Sequence, residues 1–547
     1  MDFINAEVGR GIQYNWSARS TVLSSADLGN LAQNSVNTVA TASVNIPSLL
    51  GKFKYFQNLE KTISARRAEI AVMEKQNVDI AEKRNKGKKV ENTKSYQFKN
   101  KLTPIQSILY ALTSIKQMNV SYNETSGTSL PGILSSPNFF GYGSNGGGPT
   151  YGFLLGSQSD IRRLMIERNL VSASDLMTDA YTQMNTKALT GNIQIQPMND
   201  LRIDLNFLKN QSRSLSHTNY NILVNNQLSY ATEMMSFSHS DMILGTSFKD
   251  GKDLYMNLVQ NAREISQSFG GALNTDGFVD GYGLANSYVL IPAFKSAIGG
   301  KKVGKENPTK SKFPLPNWQV IYSGLKNLPI INKHFSKFDL LHGYKATYTT
   351  SGIQSSSDYY NYQTNGATDR DTNNNYINPY TFSQVGYVEE FAPLLGADVT
   401  MRNNMQIRAM YNKNRAYVLG VQNYTLTEDS GSEYIFGLGY IIKDLKMRMT
   451  IRGKSRTIKS DLNLKMDISL RDNRTRITNI LKEDTQVTGG QKILGVNFSA
   501  DYNFSQNFQM RLFYNQLVTK YKVSTAYPLS TIRAGITANF TFGGNAN

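Results

Sequence analysis

The sequence contains no cysteine and only four histidines in 547 residues. Without cysteine the chain has no thiol nucleophile, no disulfide and no cysteine-based zinc or iron–sulfur site. No stretch approaches the roughly 18 consecutive apolar residues that a transmembrane helix needs. Residues 1–7 show neither the basic region nor the apolar core of a signal peptide. The expectation is either a cytosolic protein or a chain whose natural start lies elsewhere.

Charge is also scarce, at 18% of residues, and it is unbalanced: 59 Lys and Arg face 41 Asp and Glu, a net charge of +18. Typical soluble domains carry about 25% charged residues. Mean hydropathy is nevertheless −0.39, so the polarity comes from uncharged Asn, Ser, Thr, Gln and Gly. The 31 Tyr, 25 Phe and 42 Gly favour strands and turns. The length allows three or four ordinary domains or one large all-β barrel.

Strict alternation of apolar and polar residues dominates the last third of the chain. Leu462, Leu464, Met466 and Ile468 alternate with polar residues, and this period of two predicts a strand with one apolar and one polar face. A similar pair of segments flanks Lys443–Asp444, which predicts a hairpin with a short turn there. Further alternating pairs meet at short turns over 198–200, 402–404 and 505–507.

The connections between these segments favour a barrel in lipid over a soluble sandwich. Turns on one side are short, whereas connections on the other are longer, namely 209–226, 357–378, 420–432 and 517–529. Short periplasmic turns and long external loops are typical of outer-membrane barrels. We therefore predict an all-β, antiparallel transmembrane β-barrel of about 18 strands, with strands at 8–20, 34–46, 116–123, 188–197, 201–209, 227–238, 241–249, 317–325, 338–350, 380–401, 405–419, 433–442, 445–453, 457–470, 475–481, 492–504, 508–516 and 530–542.

The distribution of charge assigns the two faces of this barrel. Lys and Arg fall on the polar faces of the strands, whereas Leu, Met, Ile, Phe and Tyr fall on the apolar faces, as a wet lumen and a lipid-facing exterior require. The candidate lumen-lining residues are Lys446, Arg448, Arg452, Lys465, Arg511 and Arg533. The candidate lipid-facing residues are Leu462, Leu464, Met466, Ile468, Phe540 and Phe542.

Three segments interrupt the strand pattern, and residues 317–547 form its most regular part. Residues 52–101 carry 14 Lys and Arg against six Asp and Glu, which predicts a basic, partly helical periplasmic insertion. This insertion is either a solvated helix or a docking site for an acidic partner or anionic lipid. Residues 124–187 and 250–316 are predicted as long extracellular loops, the first with a short helix around 159–168.

A search for catalytic and ligand-binding motifs gives negative results. Residues 141–146 match the dinucleotide pattern GxGxxG, but no strand precedes them and no helix follows. Residues 299–305 imitate a phosphate-binding loop, but Glu306 stands where Ser or Thr must reach magnesium. Residues 369–373 begin like a calcium loop without its glycine or its final glutamate. We therefore expect no enzymatic activity, no cofactor and no metal. Alternating aromatics beside Leu and Ile also argue against a nucleic-acid partner.

The C-terminal segment 530–542 places Ile532, Ala534, Ile536, Ala538, Phe540 and Phe542 on one face. With Gly535, Phe540 and Phe542 it resembles the β-signal of outer-membrane proteins, in which a glycine precedes alternating aromatic or apolar residues.

Several longer strings resemble one family. They are Leu112–Lys116, Ser121–Gly127, Leu130–Gly132, Phe153–Arg162 (FLLGSQSDIR), Ile291–Phe294, Pro314–Leu325 (PLPNWQVIYSGL), His342–Tyr348 and Phe391–Leu394. Taken in order along the chain, they resemble the C-terminal part of the SprA/Sov family, the outer-membrane translocon of the type IX secretion system of Bacteroidota, which also serves gliding motility.

The resemblance implies that residues 1–547 are the C-terminal portion of one larger barrel, in the outer membrane of a Gram-negative bacterium with its loops at the cell surface. It implies a wide pore for folded, secreted protein cargo. The implied partners are a shuttle β-barrel, a periplasmic plug protein, outer-membrane lipid and the remainder of the parent barrel. Two alternatives remain open from the residues alone: a self-contained porin of about 18 strands, and a soluble β-rich surface adhesin.

Overall fold

The computed structural model of the chain is mostly antiparallel β-sheet, with 58% strand and 17% helix. It describes residues 3–18, 28–58, 113–137, 148–224, 226–244, 251–300, 306–451, 454–505, 507–523 and 526–541, with isolated positions between some of these ranges. The all-β, antiparallel fold class predicted from the sequence is confirmed. No helix among these residues is both long enough and apolar enough to cross a bilayer.

The strands are long, as the sustained alternation requires. They are β1 (Ile4–Ser17), β2 (Asn30–Asn45), β3 (Ile115–Ile133), β4 (Tyr181–Met198), β5 (Leu201–His217), β6 (Leu223–Val224), β7 (Gln227–Leu228), β8 (Thr232–Ser240), β9 (Asn317–Tyr322), β10 (Phe335–Ser355), β11 (Tyr380–Thr381), β12 (Gln384–Met401), β13 (Gln406–Gly420), β14 (Thr425–Ile451), β15 (Lys454–Asn479), β16 (Asp484–Ser505), β17 (Phe508–Tyr521) and β18 (Leu529–Phe540).

Sixteen of these strands form one sheet, and β6 and β7 form a separate small hairpin. The lateral order is β1-β2-β3-β4-β5-β8-β10-β12-β13-β14-β15-β16-β17-β18, so the chain winds up and down with neighbours in sequence lying side by side. The sheet is open in the part of the chain that the structure describes, because β1 pairs only with β2 and β18 only with β17. Among the described residues, the sheet therefore has two long strand edges with no neighbouring strand.

One lateral position of the sheet is shared by two short strands. β8 pairs with one end of β5 and β10, and β9 pairs with the other end of the same two strands. Between them the chain leaves the sheet in mid-strand at Ser240 and returns at Asn317. Side chains close this seam: Ser240 Oγ accepts from Leu208 N at 3.1 Å, and Asn317 Oδ1 accepts from Ala346 N at 2.8 Å.

The helices are α1 (Ile46–Leu50), α2 (Tyr151–Leu154), α3 (Arg162–Glu167), α4 (Gly251–Ser268), α5 (Ser287–Gly299), α6 (Pro329–His334) and α7 (Ser357–Asn365). Asn286 caps α5 by accepting from Tyr288 N, and Gly300 ends it in the left-handed conformation. α3 confirms the short helix predicted around 159–168. Residues 54–58 are also helical, whereas most of 59–112, including most of the predicted basic insertion, lies outside the described residues.

The apolar core lies between the sheet and these helices. One cluster joins α4 and α5 to β10, β12 and β13, and its buried side chains include Leu258, Phe294, Tyr348, Tyr387 and Tyr417. A second joins the segment after β3 to the first strands, through Phe153, Met165, Leu130 and Ala32. The core is therefore built by segments that pack onto one face of the sheet.

The predicted hairpin at Lys443–Asp444 is wrong. β14 continues through these residues, with an irregularity between Ile442 and Leu445 and a positive φ of 57° at Asp444. The apolar residues change from even to odd numbers across this point, which a bulge and a turn both produce. The predicted strands 457–470 and 475–481 are likewise one strand, β15.

The predicted long loops are shorter than expected. Residues 124–133 and 181–187 extend β3 and β4, so the first loop covers only 134–180. The predicted connection 420–432 reduces to a tight turn at 421–424, after which β14 begins. The Ser, Thr and Asn residues at these places are typical of loops. In the structure they belong to paired strands, because other segments pack against these strands.

The segment predicted as an extracellular loop over 250–316 is also different. It contains α4 and α5, and it starts and ends in the middle of the sheet rather than at its end. Residues 241–244, assigned to a strand by the alternation, lie outside the ladder because the chain turns away from the sheet after Ser240.

Candidate functional site

The register of the ladder gives the sheet two continuous faces. In β15 and β16, Leu464 is opposite Ala500 and Met466 is opposite Phe498, whereas Lys465 is opposite Ser499. Directly opposite residues lie on the same side of a sheet. The same pairing can be followed strand by strand from β1 to β18. It separates an "apolar face", which contains Leu464, from a "polar face", which contains Lys465.

The half of the apolar face next to the short turns forms a continuous band, in which Gln516 and His342 are polar positions. On β15 it extends from Leu462 to Leu470, about 27 Å along the strand, or about 20 Å across a membrane at the usual tilt. None of the described band positions is charged. Representative members, from β1 to β18, are Val8, Ala42, Val120, Ile193, Ile203, Val320, Leu340, Ala397, Ala409, Phe436, Leu464, Phe498, Leu512 and Ile536.

Many residues of this band are open to the surroundings. Val8 is 76% exposed, Ile536 66% and Phe540 61%. An exposed apolar surface this large on a soluble protein would cause association with other apolar surfaces. A band of this kind backed by a polar face is the division that a transmembrane barrel wall requires.

Part of the other half of the apolar face is covered by two helical segments, one containing α2 and α3 and the other containing α4 and α5. Phe153 and Met165 pack over β2 and β3, and α4 and α5 pack over β10, β12 and β13. On β2 the covered residues Ala32, Asn34 and Val36 are buried, whereas their polar-face neighbours Gln33 and Asn37 are exposed. Both segments therefore lie on the same side of the sheet as the band, next to it along the strands.

The polar face changes in character across the sheet. In β1 to β5 it consists mainly of uncharged side chains, such as Gln13, Gln33, Asn37, Thr125 and Thr186. From β10 onward it carries ion pairs, including Arg511 with Asp501, Arg471 with Glu433 at 2.8 Å, and Lys337 with Asp398 at 3.5 Å. A surface of amides, hydroxyls and paired charges suits contact with water.

The structure places three of the six candidate lumen residues together on this polar face: Lys465, Arg511 and Arg533. Lys446 and Arg448 lie elsewhere, on a two-stranded ribbon of β14 and β15 that projects past the sheet, because β13 and β16 end before them. Both side chains lie on the polar side of that ribbon, but they are not part of the polar face of the large sheet. Arg452 lies outside the described residues.

The candidate lipid-facing residues Leu462, Leu464, Met466, Ile468 and Phe540 share the apolar face. Phe540 stacks on Phe508 of the neighbouring strand, with ring centroids 4.2 Å apart. Gly535 lies on the polar face opposite Phe513, whose ring would contact a Cβ at 3.0 Å. Phe542 and the GxGxxG string at 141–146 lie outside the described residues.

Sequence reasoning missed a buried ionic group that spans β13, β14 and β15. Glu428 forms ion pairs with Arg415 at 3.4 Å and with Arg476 at 3.2 Å, and all three side chains are largely buried on neighbouring strands. Each residue alone reads as an ordinary charge on a strand. The signal that could have identified them is their position in register, which needs the strand pairing.

A second ionic group holds the end of the 241–316 segment against α5, just before the chain re-enters the sheet at Asn317. Glu306 bridges Lys295 of α5 at 3.3 Å and Lys312 at 2.5 Å. Burial lowers the pKa of Lys295 below its ordinary value, although Glu306 opposes this. Burial acts to raise the pKa of Glu306, but the two lysines outweigh it and keep that pKa below the usual range. No group of three metal-ligating side chains occurs among the described residues.

Comparisons with known proteins give distant structural similarities. No protein-family model matches the chain, and no curated protein matches it. The ferric yersiniabactin uptake receptor FyuA of Yersinia pestis is similar over 95% of this chain and 57% of its own, with 7% identity and a TM-score of 0.24.

FpvA of P. aeruginosa, solved with pyoverdines, is similar over 99% of this chain and 59% of its own, with 8% identity and a TM-score of 0.24. The ferric-catecholate import receptor Fiu of E. coli K12 is similar over 95% and 64%, with 8% identity and a TM-score of 0.23. The chain thus spans about three fifths of the length of these receptors.

Proposed function

We propose that this chain forms part of the wall of a protein-conducting outer-membrane barrel, the translocon of the type IX secretion system. The observation that carries the proposal is a two-faced, 16-stranded antiparallel sheet that is open at both edges. The apolar band supports contact with lipid, and the polar face supports a water-filled passage. The specific system is proposed from the strings that resemble the SprA/Sov family.

The two free edges support a partial wall rather than a complete barrel. β1 has 14 residues and β18 has 12, and within the described residues each is paired on one side only. Roughly half of the backbone groups on such an edge have no partner. In lipid each unpaired group costs several kcal/mol. The remainder of the parent barrel would pair with both edges, and a larger circumference would give a lumen wide enough for folded cargo.

The orientation follows from the ends of the strands. The tight turns at 199–200 and 402–405 and the end of β18 lie at one end of the sheet. The long segments 134–180 and 356–379 lie at the other, together with one tight turn at 421–424. Outer-membrane barrels have short turns on the periplasmic side. The second end would then face the cell surface of a Gram-negative bacterium, where a shuttle barrel could bind, and the first would face a periplasmic plug protein.

The experiment that tests this proposal is fractionation together with conductance. The full-length parent barrel that contains this chain, expressed in a Gram-negative host, is expected in the outer membrane fraction. Residues 1–547, purified alone in detergent and added to a planar bilayer, should open no stable channel, because the two edges are unpaired. A heat-modifiable monomer that conducts steadily would contradict the partial wall and favour a self-contained porin. Recovery in the soluble fraction would contradict both.

A further inference from the structure

Cationic side chains stand where the apolar band ends, next to the two covering segments. On six strands the first apolar-face residue beyond the band is Lys or Arg. This "cationic margin" consists of Arg10, Lys187, Lys209, Lys413, Lys492 and Lys520. Each lies two positions along its strand from the last residue of the band. These last band residues are Val8, Leu189, Phe207, Tyr411, Leu494 and Val518. The margin is therefore set by the register and not by one local cluster.

Acidic residues occupy the same position on only two strands, as Glu124 and Asp472. Glu124 pairs with Lys187 at 3.4 Å, and Asp472 pairs with Lys492 at 3.5 Å and also with Lys522. Arg10, Lys209, Lys413 and Lys520 form no ion pair within the part of the chain that the structure describes. Six cations against two acids leave a net positive margin.

Two of these lysines are arranged unfavourably unless an anion lies between them. Lys492 of β16 is directly opposite Lys520 of β17 in the ladder. Like charges in directly opposite positions destabilise a sheet. Asp472 balances one charge from the β15 side, but Lys522 also binds it. Lys492, Lys520 and Lys522 therefore carry three positive charges against the one negative charge of Asp472. A singly or doubly charged anion would reduce or neutralise this excess.

The surroundings of Lys413 indicate the edge of a bilayer. Its ammonium lies 4.2 Å from the centroid of the Phe248 ring, and Phe248 is itself 56% exposed. Just inside the band, Tyr411 and Tyr434 stack with ring centroids 4.6 Å apart. Aromatic rings beside cations are typical of the interface between hydrocarbon and headgroups, and lysine stems cross the last apolar layer to reach it.

We infer that the cationic margin binds the phosphate groups of anionic lipids in the leaflet next to the covering segments. The inference rests on the proposed function, because it needs the band to lie in a bilayer. Each lysine near a charged membrane surface contributes roughly a fivefold gain in affinity. The Lys492 and Lys520 pair, with its uncompensated charge, is the strongest single phosphate position.

The test measures binding of lipid A, a phosphorylated glycolipid, to the outer-membrane-purified protein in detergent. K492Q/K520Q removes two margin charges, whereas K446Q/K459Q removes two charges from the projecting ribbon and is the matched control. The margin variant should bind lipid A roughly thirtyfold more weakly, and the control should bind like the wild type. Lipid A without its phosphates should bind all three proteins weakly and equally.

Two outcomes would overturn the inference. Equal loss of binding in both variants would show a general charge effect, and no loss in either would show that the margin does not bind phosphate. Inorganic phosphate alone should not compete at millimolar concentration, and full competition would indicate a free-ion site. Correct outer-membrane fractionation with unchanged lipid binding would contradict this inference alone, whereas soluble wild-type protein would contradict the proposed function.

Discussion

Individual residues carry the division between the two faces, and adjacent residues of β15 show it most directly. Leu464 belongs to the apolar band and Asn463 to the polar face. In the proposed barrel wall, one step along the strand would change the surroundings from lipid to water. The same reasoning applies to the alternation of Arg511 and Leu512 on β17. Substitutions of two adjacent residues should therefore differ in their effect on stability, because the two side chains lie on opposite faces of the sheet.

Leu464→Lys should impair membrane assembly, whereas Asn463→Lys should be tolerated. A lysine on the lipid face near the middle of a membrane costs about 2–4 kcal/mol, but a lysine facing the lumen stays hydrated. The measurement is the free energy of unfolding in urea after reconstitution into vesicles. Equal destabilisation by the two substitutions would contradict the assignment of faces.

Glu428→Ala should destabilise the protein by about 3–5 kcal/mol, because it leaves Arg415 and Arg476 buried without their carboxylate. Asp444→Ala is the control, since Asp444 pairs with Lys459 at the surface with 68% of its side chain exposed. An exposed pair contributes at most about 1 kcal/mol. Denaturant unfolding compares the two, and a similarly small effect at Glu428 would contradict a buried ionic group.

The bridge made by Glu306 should weaken in acid. Because the pKa of Glu306 is lower in the folded state, its contribution is present above its unfolded-state pKa and is lost as the pH falls through the folded value. Proteolysis of residues 306–316 should therefore accelerate only in strongly acidic buffer, as the pH falls below the ordinary range of a glutamate pKa. Glu306→Gln should abolish that pH dependence, and an unchanged dependence in the variant would assign it to another group.

At the scale of elements, the helices α4 and α5 show how a strand is interrupted without opening the sheet. β8 and β9 share one lateral position, and the chain between them covers β10, β12 and β13. The apolar side chains beneath the helices stabilise both the helices and the strands. This arrangement makes the covering segment part of the wall and not a free loop.

Phe294→Ala should loosen this segment from the sheet. Phe294 is fully buried, and truncating such a ring costs about 3–5 kcal/mol. Limited proteolysis should cut α5 in the variant before it cuts the strands. Phe313→Ala, at a position that is 76% exposed, should leave the cleavage pattern unchanged. Simultaneous cleavage of strands and helix would mean that the segment does not unfold separately.

Much of the sheet follows from alternation alone, because period two fixes which residues share a face. The face assignments of Leu462, Met466, Lys465 and Arg533 needed no tertiary information. The phase change at Lys443–Asp444 is different, since a bulge and a turn give the same pattern. Only the continued pairing of Met447 with Ile458 distinguishes them.

The covering segments could not be predicted from local patterns. Asn34, for example, looks like a loop or lumen residue, but its amide donates to Phe153 O at 2.7 Å. Partners more than a hundred residues apart leave no periodic signal in the sequence. Glu428 is a second example. Its segment has the sequence pattern of a loop, and only the strand pairing places Arg415 and Arg476 beside it.

At the scale of the whole molecule, the open sheet with an apolar band and a polar face is the central claim. The chain lacks cysteine, so single cysteines can be placed on either face without background reaction. Leu512 and Asn515 lie three residues apart on β17, on the apolar and the polar face respectively. They provide a pair on opposite faces, about 10 Å apart along one strand and both within the length of the band.

The most direct test is labelling of Leu512→Cys and Asn515→Cys by a water-soluble maleimide in isolated outer membranes. The account predicts rapid labelling at position 515 and protection at position 512, with both labelled once the protein is unfolded in urea. Equal labelling of the two positions in intact membranes, or protection at 515 with labelling at 512, would contradict it.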